Sequence, residues 1–107
     1  MKAFSQRVLD ITAKIPRGKV TTYSEIARAL GKPGAARAVG NALRRNECSD
    51  SIPCYRVVKS DGSLGGYSGK MDSPEKAARL RKDGIEVVNG KADLRKHFHS
   101  FRKIRKK

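Results

Sequence analysis

"TTYSEIARAL" (residues 21–30) and "GAARAVGNALRRN" (residues 34–46) decide how this chain is read. The first opens on threonines suited to cap a helix, and Glu25 stands three residues after Thr22, the spacing of a capping box. Ile26, Ala27 and Leu30 then share one helical face. Gly31 and Pro33 break that helix. The second stretch turns Ala35, Val39, Ala42 and Leu43 inward and leaves Arg37, Arg44 and Arg45 pointing outward. Two short helices joined by a glycine-containing turn, the second rich in arginine, have the pattern of a helix-turn-helix. Many helical hairpins share that spacing, so the charge of the chain bears on the reading.

The charge is large: 25 Lys and Arg against 10 Asp and Glu give a net +15 over 107 residues. The last 17 residues hold eight of the basic residues and one acidic residue. A basic domain with a more basic tail favours a polyanion partner, most simply nucleic acid, over a merely solvated surface. The length suits one domain. No apolar run reaches the ~18 residues needed to span a bilayer, and the start has no signal-peptide pattern. A cytoplasmic, nucleoid-associated monomer with no membrane role is expected. Two cysteines, Cys48 and Cys54, are too few for a disulfide scaffold. They are expected as free thiols in a reducing compartment, close enough in sequence to bridge on oxidation.

Outward from the helix pair, "FSQRVLDITAKI" (4–15) sets Phe4, Val8, Leu9 and Ile11 on one side of a helix stopped by Pro16. "RGKV" (17–20) reads as a turn into a short extended piece. After the pair, Val57 and Val58 suggest a strand, "SDGS" (60–63) a turn and "LGGYSG" (64–69) a glycine-rich loop, together a wing-like hairpin. "SPEKAARLRKDG" (73–84) is a helix with Ser73 as cap, Pro74 at its first position and Gly84 as its stop. "IEVVNG" (85–90) is a short strand and turn. In "DLRKHFHSFRKIRKK" (93–107), Leu94, Phe98, Phe101 and Ile104 recur at helical spacing and predict an amphipathic basic helix. The predicted fold is α/β, mostly α: a winged-helix-like domain over 1–90, then a basic helical tail over 91–107.

Cys54 lies between Pro53 and Tyr55 in an apolar run. Residue type alone leaves it open between a small buried hydrophobe, a structural half-cystine and a nucleophile, the last needing a cationic or hydrogen-bonding environment. His97 and His99 form a His-x-His pair with too weak a spacing for a metal site, and a solvated tail explains them.

Four stretches, "IPRGKVTTYSEIA", "AARAVGNALRRN", "IPCYRVVKSDGSLGGYSG" and "RKDGI", occur in this order. Together they resemble the C-terminal, DNA-binding domain of the O-6-alkylguanine-DNA alkyltransferases, from about Phe4 to Ile85. The resemblance extends to that domain alone, so a chain without the N-terminal domain of many members is expected. It implies a suicide repair protein that flips O-6-alkylguanine out of duplex DNA and moves the alkyl group irreversibly to its own Cys54, with no cofactor or metal. It places the second helix in the minor groove, with Arg37 filling the gap left by the flipped nucleotide and Arg44 and Arg45 on the DNA. Tyr23 is placed against the phosphate and pocket, Asn46 as a brace, and Tyr67 and Ser68 over the guanine. Arg56 and Val57 follow the acceptor at substrate contacts.

The chain departs from the family motif Pro-Cys-His-Arg-Val at one position, Tyr55. The family histidine takes the thiol proton through water and is oriented by a glutamate, whose place here falls to Asp83. A phenol with a pKa of about 10 is a poor base near neutrality. Tyr55 is therefore expected to hydrogen-bond the thiolate directly, or to leave the thiol unassisted. Two alternatives stand beside transfer. One is a non-catalytic, alkyltransferase-like lesion sensor that recruits excision-repair proteins; its usual mark is tryptophan at the cysteine, and this chain has no tryptophan. The other is a plain winged-helix DNA-binding regulator.

Overall fold

The structure, a computed structural model, describes residues 3–44, 53–64, 66–67, 70–71 and 74–101. Helix α1 (Phe4–Thr12) buries Val8 and packs Phe4, Leu9 and Ile11 at the edge of the core, as its spacing predicts. Helix α2 (Tyr23–Ala29) follows the two-residue strand β1 (Thr21–Thr22) and buries Ile26 and Ala27. Helix α3 (Ala36–Arg44) buries Val39, Ala42 and Leu43 and leaves Arg37 and Arg44 exposed. These three helices pack on one another and form the first half of the core.

The capping box forms only in half. The Glu25 backbone N–H donates to Thr22 Oγ1 at 3.0 Å. The Glu25 carboxylate does not return the bond to Thr22. It accepts from Arg28 Nε at 3.0 Å and Arg28 Nη2 at 2.6 Å, from Ser100 Oγ at 3.1 Å and from the Phe101 N–H at 2.7 Å. A nearby guanidinium and a free backbone donor attract an ionised carboxylate more strongly than its own cap does.

The second half of the core gathers on helix α4 (Pro74–Lys82), strands β5 (Val87–Val88) and β6 (Lys91–Ala92), and Val20, Tyr55, Val58, Leu64 and Ile85. Strands β5 and β6 form a hairpin closed by Asn89 (φ 55°) and Gly90 (φ 75°). Two successive left-handed residues are what a tight two-residue hairpin turn requires, and Asn-Gly tolerates both.

The hairpin expected after Val57–Val58 is not made there. Strand β2 (Val57–Val58) runs parallel to β1, with Thr21 opposite Val57 and Thr22 opposite Val58. A parallel pair needs a long crossover, and α2 with α3 supplies it. The antiparallel pair lies further on, between β3 (Gly66–Tyr67) and β4 (Lys70–Met71). The "SDGS" turn instead docks on the β5–β6 hairpin: Ser63 bridges Lys91, and the Ala92 N–H donates to Gly62 O at 2.8 Å. Gly62 has φ +90°, and a Cβ there would lie 2.7 Å from Ala92 O, so only glycine fits.

The long tail helix is also corrected. Helix α5 spans only Leu94–His97, capped by Asp93, and Phe98 is already extended. Residues 97–99 run beside β1: the Val20 N–H donates to His97 O at 2.9 Å, and the His99 N–H donates to Val20 O at 2.7 Å. Thr21 Oγ1 donates to His99 O at 2.9 Å. One isolated helical turn is marginal by itself. The extended strap satisfies the free edge of Val20 and delivers the Phe101 N–H to Glu25. Ser73 and Ile104 lie outside the described residues.

Candidate functional site

Cys54, Tyr55 and Arg56 form a single 3-10 turn leading directly into β2. Its position makes it the seam of the molecule. Cys54 and Val57 belong to the helical half of the core, while Tyr55 and Val58 belong to the α4 half. Val57 and Val58 separate because successive strand residues point to opposite faces. Cys54 is 9% exposed and Tyr55 3%.

Cys54 Sγ is held in a disulfide, the oxidised state that the sequence allows, in place of the free thiol expected under reducing conditions. The chain's only other cysteine, Cys48, lies outside the described residues. Nucleophilic chemistry requires a thiolate, so reduction must come first.

Tyr55 and Asp83, 28 residues apart, meet: the phenol donates to Asp83 Oδ2 at 2.8 Å. Arg56 Nε donates to the same oxygen at 3.1 Å, Arg56 Nη2 to the Tyr55 oxygen at 3.0 Å, and Arg56 Nη1 to Ile15 O at 2.8 Å. Arg17 Nε stands 3.4 Å from Asp83 Oδ1. The guanidinium of Arg79 lies over the Tyr55 ring, 4.5 Å from its centroid. A phenol has one proton to donate. Tyr55 gives it to Asp83, so the expected hydrogen bond from Tyr55 to the Cys54 thiolate is not the one formed.

Tyr23, at the start of α2, lies against α3, where a Cβ on Gly40 would make ordinary contact with the ring at 3.8 Å. Burial pushes the Tyr23 phenol up from its ordinary value, against the lowering field of Arg44. It therefore keeps its proton near neutrality and stays a hydrogen-bond donor. Arg44 Nη2 donates to Asn41 Oδ1, and Arg37 stands exposed on the same helix. Tyr67 lies in β3 opposite Lys70. Arg45, Asn46 and Ser68 lie outside the described residues.

Sequence reasoning does not reach Lys76. It is fully buried on α4, donating through Nζ to Val57 O at 2.6 Å and to Leu64 O, with Nζ 5.8 Å from the centre of the Tyr23 ring. Burial, and then the charge of Lys59, pushes its pKa down to about 7. One ammonium thus ties together Tyr23, the strand after Cys54 and the start of the glycine-rich segment. The available signal was its place four residues before the buried Leu80 on the same helix stripe. Among the described residues no group of three His, Cys, Asp or Glu is placed to hold a metal ion. His97 instead accepts a 3.2 Å bond from the Glu86 N–H through Nε2.

The elements define a small helical domain with an arginine-bearing second helix and a cysteine at the seam between its two core halves. The sequence profile of the 6-O-methylguanine DNA methyltransferase DNA-binding domain matches residues 3–85, and the chain belongs to that family. A bifunctional methyltransferase/endonuclease of Picrophilus torridus is 53% identical over 93 residues, which are 86% of this chain and 30% of that protein. A methylated-DNA–protein-cysteine methyltransferase of Methanothermobacter thermautotrophicus is 48% identical over 84 residues, 78% of this chain and 46% of that protein. The chain therefore spans half or less of these curated relatives. The crystal structure of Schizosaccharomyces pombe Atl1 with damaged DNA containing O6-carboxymethylguanine superposes with a TM-score of 0.81 at 31% identity. The match covers 94% of this chain and 99% of that one.

Proposed function

We propose that this chain is a DNA repair protein that engages duplex DNA through α3 and accepts the alkyl group of an O-6-alkylated guanine on Cys54. The observation that carries the reading is the seam: the family's acceptor position is a cysteine, buried in the core half against which Tyr23 packs, with Tyr55 next to it in the other half. Arg37 is the exposed side chain of α3 that would occupy the stack after a nucleotide is rotated out, offsetting part of the few kcal/mol that extrusion costs. The reduced Cys54 thiolate attacks the alkyl carbon, an S–C bond forms, the C–O bond breaks, and its electron pair returns to the guanine. Tyr23 retains its proton and is the donor available to stabilise charge developing on the base. A thioether is a poor leaving group, so each molecule acts once.

The second reading is a sensor that binds the lesion without transfer. Two observations favour it. The likeness to Atl1 spans nearly all of both chains, and Tyr55 offers the thiol neither a base nor a proton. The DNA separates the two readings. Reduced protein is incubated in excess with a duplex carrying one O-6-methylguanine, and the DNA is digested to nucleosides. Transfer predicts loss of the modified nucleoside and recovery of guanine. A tightly bound but unchanged lesion rejects transfer in favour of the sensor. No preference for the lesion duplex over its undamaged counterpart rejects both.

A further inference from the structure

A cleft of about 570 Å³ opens beside the Tyr55–Asp83 pair. Among the described residues its walls are Arg17, Tyr55, Arg56, Arg79, Lys82 and Asp83, so four cations there face one carboxylate. They come from the turn after Pro16, from the 3-10 turn and from α4; nothing from α3 lines it. The one carboxylate is already engaged. Asp83 Oδ2 accepts from Tyr55 and Arg56, and Oδ1 faces Arg17. Arg56 is anchored three ways and Arg79 is seated on the Tyr55 ring, so two guanidinium groups are held in place before any ligand arrives. Arg17 (71% exposed) and the exposed Lys82 complete the lining.

We infer that this cleft is a second anion site, which takes a phosphate group. A fixed array of guanidinium groups plus an exposed ammonium suits a tetrahedral oxyanion, which accepts from several directions at once. The space exceeds that of a bare halide and admits a phosphate with its ester substituent. The phosphate is either that of a small nucleotide or that of a nucleic-acid backbone passing outside the reach of α3. The inference goes beyond the lesion chemistry and does not depend on it.

The test is an amide-resonance titration of the full chain with inorganic phosphate, at ionic strength held constant with chloride. Saturating shifts are expected at Arg17, Arg79 and Lys82, and are expected to vanish in the double variant R17E/K82E. If that variant does not fold, Lys82→Glu alone is expected to weaken the phosphate titration at least several-fold. A longer undamaged duplex identifies the source. A backbone ligand predicts that R17E/K82E lowers the slope of log K against log salt by about 0.9, the value for the one phosphate that the cleft no longer neutralises. A small nucleotide predicts an unchanged slope, with a nucleoside monophosphate producing the same saturating shifts. Either result upholds the site. Non-saturating shifts spread over all exposed lysines would overturn it, as would a glutamate-rich peptide saturating the cleft where phosphate does not.

Discussion

Tyr55 and Asp83 change length in opposite directions from the pair the family motif implies. Tyrosine reaches further than histidine and aspartate falls one methylene short of glutamate, and the two still meet at 2.8 Å. The pair keeps a hydrogen bond, and the Tyr55 proton goes to Asp83 rather than toward Cys54. A thiol of pKa about 8.5 is a few per cent thiolate at pH 7. The transfer rate of the reduced protein is therefore expected to rise with pH, because only the thiolate attacks. Single-turnover rates measure this, and a flat profile from pH 6 to 10 would contradict it. Restoring the base and its partner together in Tyr55→His/Asp83→Glu is expected to raise the rate at pH 7 by up to about 30-fold, roughly 2 kcal/mol. An unchanged rate in that variant would show that thiolate population is not what limits the reaction.

Lys76 makes the opposite kind of prediction, on stability. Its folded pKa is pushed down to about 7 from an ordinary value of 10.5. Between those values the unfolded chain binds more protons than the folded one, so stability climbs as pH rises through that window. Below pH 7 both states carry the proton and Lys76 contributes no slope. Urea unfolding at pH 6 and pH 9 should show this increment in the wild type and its loss in Lys76→Met, whatever the variant's absolute stability. An equal pH response in the two proteins would mean that Lys76 is not the buried ammonium described.

Local patterning made α1, α2, α3 and α4 legible, because each needs only its own apolar stripe and breakers, such as Pro16 and Gly31. The Asn89-Gly90 turn was legible for the same reason. What escaped is non-local. The pairing of Val57–Val58 with Thr21–Thr22 depends on a crossover, and nothing in either dipeptide names its partner. The spacing of Leu94, Phe98 and Phe101 fits a helix, yet the free edge of Val20 and the Glu25 carboxylate draw the chain out straight. That strap is testable. Glu25→Gln keeps the shape but removes the charge that holds the Phe101 N–H and Arg28, and charge-assisted bonds of this kind contribute about 1.5–3 kcal/mol. Amide exchange at Phe101 and His99 should accelerate in the variant while α3 amides stay protected. Unchanged exchange at Phe101 would deny the latch. Thr22→Ala, which removes the half of the cap that does form, should cost about 1 kcal/mol of unfolding free energy.

Across the whole molecule, two core halves meet along β1–β2, and the candidate acceptor sits on that line. The site was partly legible because the family motifs mark Cys54, Tyr23 and Arg37. Lys76, Arg79 and Arg17 were not, since a lysine or arginine reads the same in sequence whether it is solvated or enclosed. The net charge of +15 bears on affinity rather than on fold. Binding to duplex DNA should fall steeply with salt, by about 0.9 in log K per log unit of salt for each phosphate neutralised. Arg37→Ala should weaken binding to the lesion duplex more than binding to undamaged DNA, because only extrusion needs the wedge. Affinities for both duplexes across a salt series measure both effects, and a salt-insensitive affinity would contradict the electrostatic account.

If Cys54 takes the alkyl group, the mass of the intact protein records it. The most direct test is to weigh the intact protein, reduced and unreduced, after incubation with a duplex carrying one O-6-methylguanine. The reduced protein is expected to gain one methylene, mapped to the peptide containing Cys54. No gain is expected in the unreduced protein or in Cys54→Ala. An unchanged mass in the reduced protein while it holds the lesion duplex would contradict transfer to Cys54.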